Sequence, residues 1–133
     1  MKNLDTGTEH LIAKIENNVG YLIMNRPEAR NAMSAEMNVA LQEKIAEFEL
    51  DEEVRCIVLT GAGNAFCAGG DVKGMNAKNA GEGETVTIDK AIHRQRDNQR
   101  GTSGKLYKMP KPTLASLPGA AAGAGLSYAL SCD

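Results

Sequence analysis

The sequence contains no tryptophan, and its aromatic residues are limited to three tyrosines and two phenylalanines in 133 residues. A protein that binds single-stranded nucleic acid stacks bases on aromatic platforms beside a basic groove, and this chain has few such platforms. Its formal net charge is −2, so no global field draws it to nucleic acid or to an anionic membrane. Histidine is scarce, with only His10 and His93, and neither accompanies a Gly-x-Ser-x-Gly elbow. The cysteines, Cys56, Cys67 and Cys132, are odd in number and form no Cys-x-x-Cys pair. Neither a disulfide framework nor a zinc site is supported, and a reducing cytoplasm fits best.

Long hydrophobic runs are also missing. Met1–Glu9 has no apolar stretch of the kind a secretory signal needs. Thr113–Cys132 holds Pro118, Gly119, Gly123, Gly125 and three serines, which is too small and polar for a membrane span. What is there is ordinary for a globular domain: 42% hydrophobic and 24% charged residues. A chain of this size buries roughly two-thirds of its unfolded surface in one core. The basic run His93, Arg94, Arg96 and Arg100 is diluted by Asp89 and Asp97 and reads as a solvated helix face.

Patterning gives an α/β order. Leu11–Glu16 alternates apolar and polar residues, and Val19–Met24 follows after Asn17-Asn18, which predicts a β-hairpin ended by Asn25-Arg26-Pro27. Ser34 is an expected N-cap for a helix to about Leu50, carrying Met37, Leu41, Ile45 and Phe48 at helical spacing. Arg55–Thr60 is a short apolar run that predicts a strand buried on both faces, so a β-α-β crossover is expected. Thr85–Lys108 reads as helical but broken at Gly101-Thr-Ser-Gly104, and Lys78–Glu84 reads as a mobile polar segment. Thr113–Leu117 is a second buried-type strand, Pro118–Gly123 a turn, and Ala124–Cys132 the start of a helix.

Two units therefore run strand, glycine-rich turn, helix. In open α/β sheets ligands bind at the carboxyl ends of strands, where both turns would lie. The first turn fails the dinucleotide fingerprint because Phe66 stands where a third glycine is required. A phosphate loop at 99–105 fails because Gln99 replaces its first glycine and Leu106 follows Lys105. Cys67 has no histidine partner in sequence and reads as a small packed thiol. What survives is Phe-Cys-Ala-Gly-Gly-Asp at 66–71 and Gly-Ala-Ala-Ala-Gly-Ala-Gly at 119–125. Turns without bulk let backbone approach a ligand, and a helix start leaves N–H groups unpaired. Two such turns could aim two N–H groups at one oxygen as an oxyanion hole, or simply pack together without a ligand.

These segments, with Val19–Met33 and Lys111–Asp133, resemble the enoyl-CoA hydratase/isomerase (crotonase) family along nearly the whole chain. The resemblance implies a crotonase-like ββα spiral, cut after its second strand-turn-helix unit, so that residues 1–133 form the N-terminal portion of the domain. It places the rest of the domain, and the helices that complete a trimer or hexamer, beyond Asp133. It implies an acyl-CoA or enoyl-CoA substrate, no metal and no separate cofactor, coenzyme A being part of the thioester. By motif position Gly70 and Ala124 would give the two oxyanion N–H groups. Arg26, Ala29, Arg30, Ala68, Gly70, Asp71, Val72 and Lys73 would meet the coenzyme A moiety.

One departure bears on the reaction. Ser127 stands where family hydratases carry a glutamate, and the resemblance puts the other acidic residue after Asp133. One-base isomerisation is thus expected over two-carboxylate hydration, with a non-catalytic CoA-ester binder or an inactive fragment as the alternative.

Overall fold

The computed structural model describes residues 1–73 and 86–133; the segment Lys78–Glu84 lies outside the described residues. The main sheet has five strands: β1 (Lys2–Leu4), β2 (Leu11–Glu16), β3 (Val19–Met24), β4 (Cys56–Gly61) and β6 (Thr113–Ser116), in that spatial order. A second, two-stranded sheet pairs β5 (Ala65–Cys67) with β7 (Ala120–Ala121) in parallel. The helices are α1 (Ala35–Leu50), α2 (Ile88–Gln99), α3 (Lys105–Tyr107) and α4 (Ala124–Ser131).

The β2–β3 hairpin forms as its alternation predicts. Leu11, Ala13 and Ile15 face the core from one strand, and Gly20, Leu22 and Met24 from the other. Asn17 and Asn18 both have positive φ, 51° and 63°, which a two-residue loop of the right twist requires and asparagine tolerates. Ser34 caps α1 by accepting the Met37 N–H at 3.1 Å. The buried residues of α1 are Met37, Ala40, Leu41, Ile45 and Phe48, which cover the sheet. The chain then returns through β4, parallel to β3, and later through β6, parallel to β4. At the far end of α1, the Lys111 ammonium donates to the Phe48 and Asp51 carbonyls, satisfying acceptors the last turn leaves open.

Three expectations are corrected. The helix does not break at Gly101–Gly104: it runs on from α2 through a π-helical stretch, Arg100–Gly104, into α3. Gly101 lies against Gln42, where a Cβ would sit 2.6 Å from the amide oxygen, and the buried Thr102 hydroxyl donates to Asn98 O at 2.7 Å. The glycines are spent on close packing, and the helix absorbs them by widening. The strand at 113–117 is shorter and is not buried on both faces. Among the described residues it forms the sheet edge, pairs only with β4, and leaves Leu114 56% exposed. β4 itself buries Ile57 and Leu59 while Cys56, Val58 and Thr60 are half-covered. The short strands β1, β5 and β7 were not read from the sequence, being two or three residues long and without a period to detect.

Packing behind the hairpin is tight at Gly20, where an added Cβ would meet the Phe48 ring at 2.7 Å and Val54 at 3.1 Å. Gly20→Ala should destabilise the fold by about 1–3 kcal/mol through overpacking. The check is a urea midpoint that falls while the slope of the transition stays constant.

Candidate active site at two glycine turns

The two turns flagged in the sequence meet in space. The small sheet pairs Ala65 with Ala120 and Cys67 with Ala121, and Ala122 N–H donates to Cys67 O at 3.0 Å. Just past this pairing, Gly69 and Gly123 touch: a Cβ on Gly123 would lie 3.6 Å from Gly69 Cα, and one on Gly69 3.0 Å from Ala122 O. Their backbone φ values, 100° and 53°, belong to the left-handed half of conformational space that L side chains avoid. Gly125 is pressed on Cys67, with 2.3 Å from its hypothetical Cβ to the Cys67 carbonyl oxygen. A Cβ at Gly125 would collide with Cys67, one at Gly69 would crowd the Ala122 carbonyl, and one at Gly123 would be strained by its backbone angle.

Gly70 and Ala124 are the next residues in each turn. Among the described residues, neither N–H donates to a protein acceptor. Their directions follow from peptide planarity, because the carbonyl and the N–H of one trans peptide point opposite ways. Gly69 O accepts the Met33 N–H at 2.7 Å, so the Gly70 N–H points away from Met33. Gly123 O accepts the Ser127 N–H at 3.1 Å along α4, so the Ala124 N–H points out of that helix's start. The site thus offers two adjacent donors with fixed directions, and the α4 dipole favours negative charge beside one of them.

The loop after β3 holds the first turn from behind. Arg30 and Asn31 adopt left-handed φ values of 51° and 58°. Arg30 O accepts the Ala68 N–H at 3.0 Å, and Met33 and Gly70 form an isolated parallel bridge. Asn31 is fully buried. Its side-chain oxygen accepts the Arg26 N–H at 2.8 Å, and its amide donates to Ala62 O at 2.9 Å and Ala65 O at 2.8 Å. Nothing in the sequence reading singled out Asn31; its position four residues past an Arg-Pro turn carries no period or motif that would reveal a bridge between loops.

The other expected site residues divide by exposure. Arg30, Ala68, Val72 and Lys73 are exposed, Ala29 is half-buried, and Gly70 and Asp71 are partly covered. The Arg26 guanidinium is turned inwards: it donates to Ala32 O at 2.7 Å and lies 3.5 Å from the Asp71 carboxylate. Ser127, on the first turn of α4, is exposed, with its hydroxyl 3.4 Å from Gly123 O. Two shallow depressions of about 430 and 450 Å³ lie along Asn3–Ala13 and beside Glu36 and Val39. Neither is lined by a residue of the two turns, and the donors' geometry is the stronger guide to chemistry.

Behind the turns, Cys67 is fully buried, and burial pushes its thiol above the ordinary value. Such a thiol is a poor nucleophile, in keeping with a packing role. Burial likewise pushes the Tyr128 hydroxyl from 10.0 up to about 12, with Cys67 adding to the rise and a hydrogen bond to Thr102 opposing it. Among the described residues no three His, Cys, Asp or Glu side chains group as metal ligands, and no helix is long and apolar enough to cross a membrane.

A ββα architecture with two N–H donors at touching glycine turns matches a known class. Residues 14–133 match the enoyl-CoA hydratase/isomerase family, and the chain belongs to it. It is 35% identical over 125 residues to 1,2-epoxyphenylacetyl-CoA isomerase of Escherichia coli, covering 94% of this chain and 46% of that protein. It is 37% identical over 121 residues to (E)-benzylidenesuccinyl-CoA hydratase of Thauera aromatica, covering 90% and 43%. A solved Pseudomonas aeruginosa structure superposes with a TM-score of 0.81 at 34% identity, covering 94% of this chain and 51% of that one. The chain therefore spans about half the length of the relatives it matches.

Two outcomes follow from this packing. Asn31→Ala should cost about 1–3 kcal/mol for each buried group left unpaired, read as a lower melting temperature. Asn31→Asp, which keeps the acceptor for Arg26 N–H but turns a carboxylate oxygen on the Ala62 and Ala65 carbonyls, should cost at least as much. For Tyr128 the native state holds its proton to a higher pH than the unfolded chain, so stability must fall as pH rises between 10.0 and about 12. Tyr128→Phe should flatten that part of a stability-against-pH curve.

Proposed function

We propose that the two turns form an oxyanion hole, in which Gly70 and Ala124 N–H groups hold the oxygen of an acyl-CoA thioester as it becomes an enolate. The observation that carries the reading is the Gly69–Gly123 contact, which sets two unpaired N–H groups side by side with directions fixed by their own peptide carbonyls. Donors that are already oriented stabilise developing charge without reorganising, and losing one typically costs about 10²–10³ in rate. Isoleucine or leucine bulk is absent from both turns, so a planar thioester can approach the backbone.

On this reading the exposed cations Arg30 and Lys73 meet the coenzyme A phosphates. Ala29, Ala68 and Val72 line the adenine and pantetheine path, with Arg26 and Asp71 beside it. No cofactor is required, because polarisation comes from backbone dipoles. The favoured chemistry is one-base isomerisation. A base takes the α-proton, the electron pair passes into the thioester oxygen held by the two N–H groups, and the proton returns at the γ-carbon as the double bond moves. Hydration would need a second carboxylate to position water, and the exposed Ser127 hydroxyl is not one. The relatives' names, an isomerase and a hydratase acting on CoA esters, support the substrate class and leave both reactions within the family's range. Ser127 also favours a second reading, a CoA-ester binder without proton transfer. In that case α-protons of a bound acyl-CoA would not exchange in heavy water. The whole protein's cellular place, in soluble fatty-acid metabolism, and its trimeric or hexameric assembly belong to the same proposal.

The test is enolisation of a bound 3-ketoacyl-CoA, followed by the near-ultraviolet absorbance of its enolate. Binding should lower the ligand's enolisation pKa. Ala124→Pro removes one donor at the first helical position, where proline fits the helix. It should cut the bound enolate fraction by about 10²-fold, while affinity for free coenzyme A is kept. An unchanged enolate fraction in Ala124→Pro, or no shift in the parent chain, sinks the oxyanion reading.

A further inference from the structure

We infer that Arg26 and Asp71 act as a clamp that positions the Gly70 N–H, and that Arg26 is not a ligand for the coenzyme A phosphates. The inference rests on the oxyanion reading above and assigns these two side chains within that site.

An arginine that serves a phosphate presents its guanidinium to solvent in the free protein. Arg26 does the reverse: its side chain is 16% exposed. Nε is buried with no hydrogen-bond partner, and one terminal nitrogen both donates to Ala32 O and faces the Asp71 carboxylate. With Nε sealed from water and one terminal nitrogen committed to protein, the guanidinium is turned to the two segments it joins. Those segments are the loop at 25–33 and the turn at 68–71.

The clamp bears on Gly70 because that residue's neighbours are held from both sides, and the clamp supplies a hold on the C-terminal one. On the N-terminal side, Ala68 N–H donates to Arg30 O and Gly69 O accepts from Met33 N–H. On the C-terminal side, the side chain of Asp71 is drawn to Arg26, whose own backbone N–H is held by Asn31. Gly70 itself has no side chain with which to anchor its peptide. Its N–H direction is therefore set by what holds Gly69 and Asp71, and the ion pair is a side-chain contact in that set. Displacing a reacting group by about 1 Å can cost on the order of 10²-fold, so a turn loosened at one side should lose enolate stabilisation before it loses ligand.

The experiment uses the same 3-ketoacyl-CoA titration with Arg26→Ala, Asp71→Asn and the double variant, alongside affinity for free coenzyme A. The expected result is a bound enolate fraction reduced about tenfold or more in each single variant, with affinity for free coenzyme A changed less than twofold. The double variant should lose less than the product of the two single losses, since both single variants break the same ion pair. Two results overturn the inference. One is loss of free coenzyme A affinity in Arg26→Ala with the enolate fraction intact, which makes Arg26 a phosphate ligand. The other is an unchanged enolate fraction in all three. Should Arg26→Ala fail to fold, Asp71→Asn, which alters only a partly exposed carboxylate, reads the same quantity and decides alone. A parent chain that shows no enolate shift removes the oxyanion reading itself, a different failure from parent and variants behaving alike.

Discussion

The approach of Gly69 to Gly123 is the constraint on which the rest of this structure depends. Neither position tolerates a side chain, by backbone angle at both and by a 3.0 Å neighbour at Gly69. Their contact brings two strand-to-helix turns within van der Waals range, on a backbone conformation that L side chains rarely adopt. The planar peptide then does what side chains usually do. Each carbonyl bonded on one side commits an N–H to the other, so a hydrogen bond made for structural reasons becomes an aiming device. The donors need no rotamer and lose no side-chain entropy when a ligand arrives.

The surrounding fold can be understood as the means of holding that contact. Parallel register through β3, β4 and β6 sends successive turns out at the same end of the sheet. The β5–β7 pairing locks the turns to each other before they diverge into loop and helix. Asn31 does the corresponding work on the other side: two hydrogen bonds tie the loop after β3 to Ala62 and Ala65 after β4, and a third closes its own loop on the Arg26 N–H, all from a fully buried side chain. In such surroundings a satisfied amide fixes geometry strongly, since every alternative leaves a buried polar group unpaired. The left-handed backbone at Arg30 and Asn31 is the conformational cost of reaching that arrangement.

Much of this was legible in the sequence, and the pattern of success has physical reasons. The hairpin, α1 and its Ser34 cap, and β4 were readable because alternation, helical spacing and capping chemistry are local and redundant along the chain. The two turns stood out because glycine clusters have few other uses. Long-range closure was not legible. β5 and β7 are too short for a period, and their pairing is decided by what β4 and β6 have already placed. The expected break at Gly101–Gly104 misjudged glycine: its low helix propensity was outweighed by the packing against Gln42 that only a bare backbone allows. Arg26 shows the same limit within the site. Its place in an Asn-Arg-Pro turn marks it as important, but whether a guanidinium faces ligand or protein depends on a carboxylate 45 residues away in the chain.

A site built this way divides its chemistry between backbone and side chains. On the proposed reading the enolate is held by two backbone N–H groups, and an alanine at position 124 supplies its N–H as a glycine would. On that reading proton transfer depends on side chains, and the first turn of α4 offers the Ser127 hydroxyl there rather than a carboxylate. The two halves therefore differ in how readily they can be altered. Any residue compatible with the backbone angles preserves the donors, whereas each different placement of a carboxylate defines a different reaction. On the proposed reading such an oxyanion device constrains the class of substrate to a thioester able to form an enolate. The outcome of the reaction is decided by acids and bases brought to its rim, where the Gly70 turn and the α4 helix both present open surface.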